Sequence, residues 1–199
     1  MIEKKLYIFA LLICLASVVA FILVSSFRFP SPQESRYKEI GGDFTLISDQ
    51  RLVSLLDFRG QVVLLFFGFT SCPDICPTEL ARIAAAFRKL SKKEIDQTQG
   101  IFISIDPQRD TIKKVSAHAQ FFHTNIIGLT GSTGEVKRVA NKYFAFYEKV
   151  ENKDDETEYM IDHSVTTYII GRDGRVAELI KRDVTSSELA QAIRTALRR

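Results

Sequence analysis

The chain has 199 residues, 46% of them apolar and 26% charged, with a net charge of +3. With a mean hydropathy of +0.01, this composition excludes a disordered chain, a fibrous protein and a polytopic membrane protein. The near balance of charge, with no interleaving of basic and aromatic residues, gives no sign of a nucleic-acid surface.

The average conceals two unlike parts. Leu6 to Phe27 is a run of 22 residues, 19 of them apolar and none charged. As a helix it would span roughly 33 Å, enough for one crossing of a bilayer core. Lys4 and Lys5 precede the run and Arg28 follows it. The positive-inside rule keeps residues 1–5 in the cytoplasm. The expectation is a single-pass inner-membrane protein with its C-terminal domain on the periplasmic side. Val18 and Ala20 weakly suit signal cleavage, but the apolar run continues to Phe27, longer than a usual signal-peptide core, so 6–27 is read as a retained transmembrane anchor. Cys14 follows Ile13, not a small residue, and reads as a bilayer-buried thiol rather than a lipidation site. Residues 28–40, with Pro30, Ser31 and Pro32, read as a tether. Residues 41–199 are left as one domain, of a size that a single core supports.

Within the domain, Phe44–Ile47 and Val53–Leu56 read as an N-terminal hairpin. Val62–Phe67 is a continuous apolar run, as in a strand buried on both faces. A helix is expected from Pro77 to Leu90, with Leu80, Ile83, Ala84 and Phe87 inward. Ile101–Ile105 is a further strand. Asp110 is expected to cap a helix from Thr111 to about His123. Ile126–Leu129 is a short strand, and Ser132 with Glu135 forms a capping-box pattern before the next helix. Glu151–Glu158 reads as a solvated acidic loop. Val165–Ile170 and Arg175–Ile180 flank Gly171–Gly174 as a hairpin, and Thr185 with Glu188 marks a last helix. Strands alternating with helices, closed by a hairpin and a helix, give an α/β fold: a mixed sheet flanked by helices.

Three features carry chemistry. The first is Cys72-Pro-Asp-Ile-Cys76-Pro, between a buried strand and a helix start. Active groups collect at the carboxyl ends of strands in open sheets. A helix N-terminus favours thiolate, which is both the nucleophile and the metal ligand. Residues four apart share a helical face, so both sulfurs can converge on one ion or form a disulfide. A purely structural disulfide would close too short a loop to stabilise much. The second feature is Asp162-His163. His118, off its helix's apolar stripe, reads as exposed, and His123 as a cation at a helix C-terminus. His163 instead stands at the entry of the strand Ser164–Ile170, beside an acid. Two thiolates and one imidazole suit Cu(I) and Cu(II), and zinc is not excluded by these ligands. The third feature is Ile105-Asp-Pro-Gln-Arg-Asp-Thr111, a turn with a helix cap. It would set Asp106 and Arg109 on the same rim, as an outer shell or a docking surface.

The stretches Gly68-Phe-Thr-Ser-Cys72-Pro-Asp-Ile-Cys76-Pro, Ile105-Asp-Pro-Gln-Arg-Asp-Thr111 and Asp162-His163-Ser-Val closely resemble the Sco/SenC copper-chaperone family, from Gly41 to the last helix. The resemblance implies a thioredoxin-like fold and copper held by Cys72, Cys76 and His163. It also implies a role in building the copper centre of cytochrome c oxidase subunit II, with a copper donor protein upstream. Asp162 and Asp106 match family positions that modulate binding or partner contact. Ser71 stands where many members carry His. Spacing of three residues between the cysteines, absence of Trp and His163 where thioredoxins place a cis-proline argue against a general disulfide exchanger. Three functions share these residues: a metallochaperone, a thiol–disulfide reductase acting through Cys72 or Cys76, and a redox or copper sensor.

Overall fold

The structure, a computed structural model, describes residues 37–49, 51–152 and 155–199, and nearer the N-terminus residues 13, 15 and 17–20. These last are helical and exposed. Most of the expected anchor, residues 1–5 and the tether up to residue 36 lie outside the described residues. Among the described residues no helix is long and apolar enough to cross a membrane. Two compact units divide the chain, Met1–Ser35 and Arg36–Arg199. The second contains the sheet and every candidate site residue.

The sheet is built around β3 (Val62–Gly68), every residue of which is buried. A strand covered on both faces has no use for alternation, which is why it reads as an unbroken apolar run. β4 (Thr98–Ser104) and β5 (Ile126–Leu129) lie parallel to it on one side, while on the other β8 (Thr167–Ile170) pairs antiparallel with β3 and β9 (Val176–Ile180) pairs antiparallel with β8. The order is β5-β4-β3-β8-β9. β1 (Thr45–Ile47) and β2 (Leu52–Ser54) form the expected N-terminal hairpin, although Leu55–Phe58 turns into a capped 3-10 helix instead of extending it.

Five helices follow in chain order: α1 (Ile75–Phe87), α2 (Lys92–Ile95), α3 (Ile112–Phe122), α4 (Thr133–Lys142) and α5 (Ser186–Leu197). α4 and α5 begin with the capping boxes Ser132–Glu135 and Thr185–Glu188. α1 packs on α5, and α3 on β4 and β5. The core is rich in aromatic rings, with Phe66, Phe67, Phe69, Phe87, Phe102 and Tyr143 fully buried.

Several expectations are corrected. α1 starts at Ile75 rather than Pro77, because the missing N–H of Pro77 costs nothing in a first turn whose amides have no intrahelical acceptor. Thr111, not Asp110, caps α3 through its side chain. Residues 151–152 and 155–158 of the acidic stretch are strand and not loop: β6 (Tyr147–Asn152) pairs antiparallel with β7 (Asp155–His163) as a separate two-stranded ribbon. Cross-strand pairing organises a segment whose polar sequence carries no apolar alternation to mark it as strand. His163 therefore closes the ribbon rather than opening β8. His118 is not exposed, for its ring packs on Phe102 and Phe122 and its Nε2 is buried without a hydrogen bond. His123 packs edge-on against Phe87 and its Nδ1 accepts the Asn125 N–H. Burial, then the nearby Arg88 charge, lowers its pKa, so it is a neutral ring and not a helix-end cation.

Candidate metal centre

β3 ends at Gly68, and the chain reaches Cys72 within four residues before α1 begins. Cys76 falls in the first turn of α1 and is fully buried, while Cys72 remains half-buried in the loop. The Cys76 backbone N–H donates to Cys72 Sγ at 3.4 Å, one of the free amides of the helix N-terminus turned onto a sulfur. Both cysteines are free thiols. Burial pushes the Cys76 thiol up, so its thiolate needs a compensating positive charge.

The ribbon supplies the third group. His163 Nδ1 lies 3.1 Å from the Ser164 carbonyl. A carbonyl only accepts, so Nδ1 carries the hydrogen and the neutral ring turns a bare Nε2 to Cys76 Sγ, 3.4 Å away. Burial lowers the His163 pKa, against the opposing pull of the Ser164 carbonyl and the Asp162 charge. Phe66 and Phe69 pack on the ring, with centroids 6.2 and 5.9 Å away. The ligand atoms of Cys72, Cys76 and His163 all lie within 4.8 Å of one another. Two soft sulfurs and a ready imidazole nitrogen fit a copper ion, and no fourth His, Cys or carboxylate among the described residues joins them.

The remaining expected residues act at one remove. Asp106 is buried, ion-paired to Arg109 at 2.5 Å, and accepts the Tyr159 hydroxyl at 2.6 Å. Arg109 also donates to the Tyr159 carbonyl at 2.8 Å and lies over its ring. Burial, then the Asp106 hydrogen bond, pushes Tyr159 up to about 12. Asp106 and Arg109 therefore bind β7, four residues before His163, to the rim of the central sheet. Asp162 is exposed on the ribbon.

Asp110, which the sequence marks only as a cap, accepts from Thr70 N–H (2.8 Å), from the Thr70 hydroxyl and from Ser104 (2.7 Å), and pairs with Lys114 at 3.2 Å. Lys114 also reaches Ser71 at 3.3 Å. Burial opposes this charge, but the bonds from Ser104, Thr70 and Lys114 outweigh it and hold the carboxyl below the usual range. Asp110 thus pins the loop that leads to Cys72. In the sequence Asp110 reads as a cap because capping is local, whereas its partners lie up to 40 residues away. Buried Glu79 has a similar hidden role, accepting from Arg82 and from Thr167 to join α1 to β8.

Comparison with known proteins agrees with this geometry. The family described as SCO1/SenC matches residues 32–198. The chain belongs to the SCO1/SenC family. An SCO2-like protein of Rickettsia conorii is 38% identical over 188 residues, covering 90% of this chain and 91% of that protein. A mitochondrial SCO2 homologue of Bos taurus is 37% identical over 77% of this chain, which spans only 58% of that protein's length. Among solved structures, copper-bound ScoI of Arabidopsis thaliana superposes with a TM-score of 0.73 at 37% identity, covering 80% of this chain and 98% of ScoI. BsSco, described with a disulfide switch and as a member of the Sco family of cytochrome c oxidase assembly proteins, gives 0.61 at 26% identity, covering 80% and 94%. The thioredoxin-like α/β fold is thus shared across the family.

Proposed function

We propose that this SCO1/SenC protein carries copper on Cys72, Cys76 and His163 and delivers it to the copper centre of cytochrome c oxidase subunit II. The observation that carries this reading is the convergence of the three ligand atoms within 4.8 Å, with the imidazole already in the tautomer that offers Nε2. The copper in a similar ScoI and the oxidase-assembly role of BsSco support it. Copper supplies the positive charge that a buried Cys76 thiolate requires. The chain's own residues do the rest: Asp110 fixes the loop, the Asp106–Arg109–Tyr159 cluster fixes the ribbon, and two half-exposed ligands leave the rim open to an incoming donor. Three protein ligands suit Cu(I); zinc would add a water as its fourth, and metal analysis of protein purified with both metals present separates the two, zinc retained without copper contradicting the copper reading. The apolar run 6–27 would tether this chemistry to the membrane, facing the periplasm beside the oxidase. Alkaline extraction of membranes should leave the chain in the membrane fraction.

A second reading has its own observation. The Cys76 amide directed at Cys72 Sγ would stabilise a Cys72 thiolate able to attack a disulfide. His163→Ala separates the two. A copper carrier should lose its Cu(II) absorption bands and its support of oxidase assembly, while its thiols still oxidise normally. Oxidase assembly that survives His163→Ala but fails with Cys72→Ser would favour the reductase.

A further inference from the structure

The ribbon has two faces, and the metal centre uses one. In an antiparallel pair, directly opposite residues share a face. Tyr147 opposite His163, and Lys149 opposite Ile161, turn inward: Ile161 is buried, and Lys149 Nζ sits 4.2 Å above the Tyr159 ring. The other face carries Glu148 opposite Asp162 and Val150 opposite Met160. Phe146 continues it, its carbonyl accepting the Ser164 N–H at 2.9 Å.

This outer face is costly as a bare surface. Phe146, Val150 and Met160 are 60%, 51% and 49% exposed. Two like charges directly opposite weaken a strand pair, and neither Glu148 nor Asp162 has an ion-pair partner among the described residues. Just before the ribbon, Phe144 is 67% exposed and held at a φ of 52°, a region where an aromatic residue is strained. Apolar side chains around two unneutralised carboxylates form the complement of a lysine or arginine set in an apolar surface. Closing over that cation would desolvate the charge pair at the centre of a contact, where binding energy concentrates.

We infer that the outer face of the β6–β7 ribbon is the docking surface for the copper-exchange partner, a protein that presents a basic side chain ringed by apolar ones. The inference rests on the copper-delivery reading, for it places the partner on the strand that carries His163, beside the ligand that must be exchanged. Attraction to Glu148 and Asp162 would speed encounter, and the apolar residues would hold the complex.

The test uses the full chain in detergent, loaded with copper, and the metal-free, reduced soluble domain of oxidase subunit II as probe. Glu148→Lys and the pair Val150→Ser/Met160→Ser should each load copper with the wild-type spectrum. Each should bind the probe about tenfold more weakly or worse. Binding of the wild type should weaken as salt rises, and less so for Glu148→Lys. Asp96→Lys, an exposed carboxylate just before β4 and so at the opposite end of the sheet, should bind as wild type. Wild-type binding that both ribbon variants share would overturn the docking face alone. A copper-loaded wild type with no affinity for the probe would overturn the delivery reading together with it. Dimerisation of the wild type that the same substitutions abolish would give the face to a second copy and overturn the proposal.

Discussion

Gly68 shows how finely the centre is fitted at the scale of one residue. A Cβ there would fall 2.8 Å from Cys76 Sγ and 3.0 Å from Phe102. The methyl group of Gly68→Ala must therefore displace the sulfur or a buried ring, at a cost of about 1–3 kcal/mol. Chelator competition should show weaker copper binding, and thermal melting a lower Tm; unchanged copper affinity would mean that the buried ring, not the sulfur, gives way. Asp110 makes a different prediction. Its pKa is depressed, so its contribution is complete above the unfolded carboxyl value near 3.9 and is lost as pH falls through the lower folded value. Asp110→Asn should cost about 2–4 kcal/mol at neutral pH. The stability difference from wild type, measured by urea denaturation, should shrink below about pH 4; a pH-independent difference would contradict a charged Asp110. Cys72, Cys76 and His163 were legible because their chemistry is rare and the chain holds only three Cys and three His. Asp110, Glu79 and Tyr159 were not, since each earns its role through partners distant in the chain.

Elements with clear periodicity or caps were legible to within a few residues: β3 from its unbroken apolar run, and α4 and α5 from their capping boxes. The β6–β7 ribbon was not, because cross-strand pairing rather than an apolar alternation in the sequence makes it a strand pair. Its link to the body of the domain passes through Tyr159, whose hydroxyl reaches Asp106 and whose carbonyl receives Arg109. Tyr159→Phe removes the hydroxyl and leaves one oxygen of a buried carboxylate unpaired, costing about 1–3 kcal/mol. The ribbon should loosen and His163 with it. Copper should then dissociate faster in stopped-flow chelation, with thiol oxidation by a soluble disulfide unchanged. A wild-type off-rate would show that the ribbon is held in place by other contacts.

In the whole molecule, the thioredoxin-like frame sets a cysteine loop at the end of a buried parallel strand and brings a histidine to it from a ribbon outside the main sheet. The α/β class followed from the alternation of elements, but the meeting of Cys76 and His163, 87 residues apart, depends on a topology that periodicity does not specify. On the proposed reading, the apolar run at 6–27 tethers this chemistry to a membrane that also holds the oxidase. The most direct measurement is X-ray absorption at the copper edge of the reduced full chain loaded with one equivalent of Cu(I). The expected shell is two sulfurs and one imidazole nitrogen, from the Cys72, Cys76 and His163 group, with the nitrogen lost in His163→Ala. An unchanged nitrogen shell in that variant, or a copper site without sulfur, would contradict it.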